Sequence, residues 1–130
     1  MMYELDELQL ENDIINLLKR DVFSNVMGSY PSGTSVFPLI TTSMNSTPKE
    51  YDLSKNIVKE RVSFTIRIWE TKKTSCVKTR KKVENVMLGF GFTRNNPTEI
   101  IVDRSNDKYY TSEQFNIIFN KMTNQFERSL

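Results

Sequence analysis

The chain has 130 residues, 38% hydrophobic and 26% charged, with a formal net charge of +2. That length suits one domain with a real core, residues 1–130, and the composition is neither disordered nor membrane-embedded, with no apolar run approaching the roughly 20 residues of a spanning helix. There is no histidine and only one cysteine, Cys76, which removes disulfides, the usual Cys/His zinc sites and imidazole-activated nucleophiles, so no enzyme is expected.

The N-terminus, MMYELDELQLEND, is acidic, where a secretory signal begins basic and turns apolar. The chain is therefore expected to stay where it is made or to join an assembly built there. Leu5 to about Phe23 reads as an amphipathic helix, with Leu10, Ile14, Leu17 and Leu18 at helical steps and Glu11, Asn12, Asn16 and Lys19 between them. Ser24–Ser35 carries turn chemistry, with Gly28, Pro31 and Gly33 as punctuation. VFPLITTSM follows as a short strand that begins at Pro38 or lies at an edge. Asn45–Asn56 reads as a polar connection, long for a tight hairpin.

From Val58 the period becomes two. Val62, Phe64, Ile66 and Ile68 share one face; Arg61, Ser63, Thr65, Arg67 and Trp69 share the other. Trp69, on the polar side, is either a packing residue at the sheet rim or a contact for another protein. A second helix follows, N-capped by Thr71 or Thr74, with Cys76, Val83, Met87 and Phe90 as its apolar stripe, Val86 beside it, and Gly89 as its stop. The end of the chain holds a short apolar run, EIIVD, a turn at SNDK, an alternating strand with Phe115, Ile117 and Phe119 on one face, and a polar tail beyond Met122 expected to fray. The expected fold is α+β: a mainly antiparallel sheet with two helices on one face, in a single domain.

Few motifs carry chemistry. The glycines of GFGF end a helix instead of opening one, so they do not form a phosphate cradle. Cys76 has lysine neighbours that favour a thiolate, but its place in the apolar stripe reads as core. Glu50 with Asp52, and Asp103 with Asp107, lie in turn-like context that gives no support to paired-acid catalysis. The basic block is the informative feature: Lys72, Lys73, Lys78, Arg80, Lys81 and Lys82 fall on one helix, opposite in sign to the acidic N-terminus. Such a helix neutralises DNA phosphates, meets an acidic partner, or is simply solvated. The absence of any aromatic between Lys72 and Lys82 argues against single-strand binding.

The stretch YDLSKNIVKERVSFTIRIWETKKTSCVKTRKKVENVMLGFGFTR resembles the central part of tail terminator (tail completion) proteins of long, flexible-tailed phages of Gram-positive hosts. The matching features are Tyr51-Asp52 followed by a polar link, an alternating strand ending in Ile68-Trp69, a helix of mixed apolar and basic residues, and Gly91-Phe92 with Arg94. The leading helix and the last third also match, although the helix from Thr74 to Leu88 carries more lysine than the pattern requires. The resemblance implies a non-catalytic virion protein without cofactor or metal, assembled in the host cytoplasm and placed at the head–tail junction. It implies a homo-oligomeric ring, commonly a hexamer, that caps the tail tube, meets the tail tube protein and the head-completion (neck) protein, and lets DNA pass without specific recognition; no membrane is involved. Candidate contact residues are Tyr51, Asp52, Trp69, Lys72, Lys73, Lys78, Lys81 and Lys82, and the acidic first helix is expected near the basic helix across, or close to, a subunit boundary. The alternatives are a head-completion or adaptor protein and a small basic nucleic-acid-binding module.

Overall fold

A computed structural model describes residues 2–23, 25–28, 36–95, 100–103 and 108–128. Among them the chain runs α1 (Glu7–Asp21), β1 (Val26–Met27), β2 (Leu39–Tyr51), β3 (Ile57–Glu70), α2 (Lys73–Phe90), β4 (Thr93–Arg94), β5 (Ile101–Asp103), β6 (Lys108–Asn120) and β7 (Gln125–Arg128). The fold is α+β. Long antiparallel neighbours β2, β3 and β6 form the sheet, β1 adds in parallel outside β2, and β4, β5 and β7 pair with β6 at different registers. Among the described residues no helix is long and apolar enough to cross a membrane.

Both helices cover one face of the sheet. α1 starts where Asp6 accepts the Gln9 N–H at 3.0 Å, and it buries Leu10, Ile14 and Leu18 on one stripe. In β3 the period-two alternation sends Val62, Phe64, Ile66 and Ile68 to the same core. Phe64 lies opposite Phe115 and Val62 opposite Ile117, while Phe92 meets Phe64 edge to face at 5.5 Å between ring centres. α2 completes the core with Cys76, Val83 and Met87.

Several expectations are corrected. Val26 and Met27, inside the stretch read as a turn, pair with Ile40 and Thr41; Ser24 and residues 29–35 lie outside the described residues. The strand expected to begin at Pro38 starts one residue later, at Leu39, directly after a cis Phe37–Pro38 peptide. It continues through the supposed connection as far as Tyr51. That part is polar on both sides because it is exposed on both sides, so there is no alternation to read. α2 has Lys72 at its N-cap with no side-chain cap; Thr71 and Thr74 do not serve. Glu70, still paired in the sheet, accepts from Thr79 Oγ1 at 2.6 Å, so the strand end sets where the helix begins.

The helix also runs past Gly89. Gly91 takes the left-handed position, φ 122°, and the N–H groups of Gly91 and Phe92 return to the Met87 carbonyl at 3.3 and 3.1 Å. Finally, the tail does not fray: Gln125–Arg128 folds back on β6 as β7. Asn120 Oδ1 accepts the N–H groups of Met122 and Thr123 in the turn, and Phe126 packs on Phe119 and Phe90.

The two glycines therefore have opposite expected behaviour in chemical denaturation. Gly91→Ala destabilises by about 1 kcal/mol or more because of its φ. Gly89→Ala, helical and with open space where a Cβ would stand, stabilises by about 0.5–1 kcal/mol.

Candidate functional site

The lysines lie on the wet side of α2. Its buried residues are Cys76, Thr79, Val83 and Met87, which turns Lys78, Lys81 and Lys82 outward, with Lys72 and Lys73 exposed at the helix start. Among the described residues none of these five lysines has a carboxylate within ion-pair reach, those of α1 included. Within one chain, then, the acidic and basic helices do not neutralise each other. Cys76 is a core residue: its Sγ lies 3.8 Å from the Ile68 carbonyl, and burial pushes its thiol up to about 11.

Tyr51 and Asp52 sit at the tip of an arm formed by the far ends of β2 and β3. Asp52 Oδ1 accepts the N–H groups of Ser54 and Asn56, both at 2.9 Å, and Lys55 takes φ 64° to close the turn. The backbone hydrogen bond from Asn56 holds the Asp52 carboxyl below its ordinary range. Glu50 faces Lys59 at 3.7 Å. Both acids therefore have structural partners, while the side chains of Asp103 and Asp107 lie outside the described residues. Tyr51 is exposed and Leu53 wholly so, beside Lys49 and Lys55. Beyond Thr41 no described strand covers the outer edge of β2.

Trp69 is not presented to a partner. It is 6% exposed, stacks on Tyr110 at 4.7 Å and donates from Nε1 to Thr41 Oγ1 at 3.2 Å. Of its two readings, rim packing holds. Nor do the expected contact residues form one patch. Tyr51 and Asp52 flank one end of β3 and Lys72 and Lys73 follow the other, about 40 Å of strand apart.

Two surface features had no local signal in the sequence. On the open face, a polar basin of about 620 Å³ is lined by Asn45, Thr47, Arg61, Ser63, Thr93, Arg94, Asn95, Gln114 and Asn116. Ser63 donates to Asn116, Asn116 to Asn95, and Asn95 to Gln114, at 2.6–2.9 Å. Among the described residues no carboxylate lines it, and Arg61 Nε is buried without an acceptor. On the helix side, a hollow of about 200 Å³ has Leu5, Leu10, Phe90, Phe119 and Phe126 on its walls and Glu4, Asp6 and Asp13 on its rim. It continues along α1 past Asn16 and Leu17. Its aromatic rings are brought together from α2, β6 and β7, far apart in sequence.

A third feature did leave a signal: Glu113 interrupts the apolar face of β6, in phase with Phe115, Ile117 and Phe119. It is fully buried under α2, with Arg80 Nε 3.6 Å away. Among the described residues, neither of its carboxyl oxygens accepts a hydrogen bond. Burial first, then the neighbouring Glu84 carboxylate, raises it to about 8, while Arg94 and Arg80 pull it down. Glu84 is itself bridged to Arg94, tying α2 to β4.

No model of a known protein family matches this chain, and no curated protein is significantly similar to it.

Glu113 makes stability depend on pH. Its folded carboxyl holds a proton up to about pH 8 whereas the ordinary value is 4.5, so stability is greatest at or below pH 4.5 with respect to this group and falls as pH rises toward 8. Glu113→Gln flattens that dependence. In denaturation at pH 9 it is more stable than the parent by about 1–3 kcal/mol, with little difference at pH 5.

Proposed function

We propose that the chain is a ring subunit that caps the head-proximal end of a phage tail tube, stops tube growth and offers a docking surface to the head-completion protein. The reading rests on the resemblance of residues 51–94. The structural observation that supports it is the separation of chemically unlike surfaces on one small fold: a lysine face, an aromatic hollow with an acidic rim, and a projecting arm. A closed ring needs one patch to meet a different patch on the next copy, and such a set supplies unlike partners. In this reading the work is done by binding, without a catalytic group or cofactor. A closed ring with no free tube-adding face leaves the next tube subunit nothing to join, and DNA passes through without being read.

Lys78, Lys81 and Lys82 belong to this assembly role as exposed cations that have no carboxylate partner among the described residues and can meet an acidic neighbour. Their unpaired state also favours the second reading, phosphate binding, which predicts DNA affinity of a monomer or dimer with a steep salt slope.

Electron microscopy of particles lacking the chain tests the main reading. Overlong tails are expected; normal-length tails detached from heads would transfer the chain to a joining role. The triple charge reversal of Lys78, Lys81 and Lys82 to Glu should leave the fold intact, since all three are exposed. It should weaken assembly at least tenfold; unchanged oligomer size in native mass spectrometry together with normal particles would remove these lysines from the contact.

A further inference from the structure

We infer that the arm of one copy docks in the aromatic hollow of the next, with Leu53 as the apolar knob; this rests on the ring reading above. The arm projects roughly 15 Å beyond Thr47, and its tip is a preorganised turn closed by Asp52. Burying a wholly exposed Leu53 and the exposed Tyr51 removes from water apolar surface that no described residue of the chain covers.

The hollow matches that tip in both size and charge. A leucine with part of a tyrosine fits about 200 Å³ walled by Leu5, Phe90, Phe119 and Phe126. Its rim carries Asp6 and Asp13, which have no basic partner among the described residues, and Glu4, which is bridged to Lys121 at 3.3 Å; Arg20 lines only its continuation along α1. The tip offers two cations: Lys49 and Lys55 have no partner among the described residues, while Glu50 shares Lys59 with Glu127 and backbone N–H groups hold the Asp52 carboxylate. Cations around an apolar knob meeting acids around an apolar socket provide both burial and orientation.

Placement favours a neighbour as the occupant. The arm belongs to the β2 side of the sheet and the hollow to the β6–β7 side, yet both lie toward the same end, where the Lys121 N–H bonds the Val58 carbonyl at 2.9 Å. Patches at one level on opposite flanks are those that a rotation brings together, repeatedly, until the ring closes. Docking through side chains also suits this strand. Pro48, Lys49 and the irregular register between Pro48 and Tyr51 blunt its edge against adding a further strand.

Disulfide trapping with Leu53→Cys and Gln9→Cys in one chain tests the inference; both positions are exposed, Gln9 lines the hollow, and buried Cys76 does not compete. Under mild oxidation the double variant should give a ladder of linked chains up to the closed ring, and each single variant nothing beyond a dimer. Leu53→Asp should weaken self-association about tenfold or more without altering the fold. Rings that form without a ladder, or a link closed within one chain, would overturn the docking while leaving the ring reading in place. A chain that stays monomeric at every concentration would overturn it too, and the capping role then stands or falls separately on tail length in particles lacking the chain.

Discussion

Phe64 of β3 faces Phe115 of β6 across the centre of the sheet, beneath Phe92, and the whole arrangement depends on that register. A slip of one residue would turn Val62, Phe64, Ile66 and Ile68 to the open face and drive Arg61 and Arg67 under the helices. The charge burial this would entail outweighs any gain from alternative pairing, so the three long strands have one workable alignment. α1 and α2 then have a single apolar face to cover. The opposite face is left polar, and the Ser63–Asn116–Asn95–Gln114 chain ties its strands together.

This arrangement places the surfaces on which the proposed assembly role rests. α2 spends its inward stripe on the core and its flank on Arg80, Glu84 and their partners, so its lysines have nowhere to go but outward. β2 and β3 are longer than the helices that cover them, and the excess becomes the arm. The return of β7 carries Phe126 to Phe90 and Phe119 and so brings the hollow's rings together from three separate elements, with α1 as the fourth wall. Knob and socket are both by-products of where the core stops.

Glu113 is the point at which the fold departs from the simplest packing. An apolar residue there would continue the face made by Phe115 and Ile117. The carboxyl instead sits among Arg80, Arg94 and Glu84, so the junction of α2 with the sheet responds to the proton as well as to apolar burial.

Strong periodicity was legible in the sequence by itself. The stripe of α1, the alternation of β3, the shared face of Phe115, Ile117 and Phe119 and the α+β class follow from spacing alone, because half-buried elements must repeat with their own geometry. The outward placement of the lysines followed too, once Cys76, Val83 and Met87 were assigned to the core. Tertiary structure alone decided the rest. Where both faces of a strand are wet, as at Asn45–Tyr51, no pattern marks it, and only pairing with β3 shows that it is a strand. The stop at Gly91 instead of Gly89 depends on burial of Phe92; the polar tail is held by Asn120 and Phe119, and Trp69 is hidden by Tyr110. The hollow has no sequence signature at all, since its walls are contributed by residues that meet only after the chain has folded.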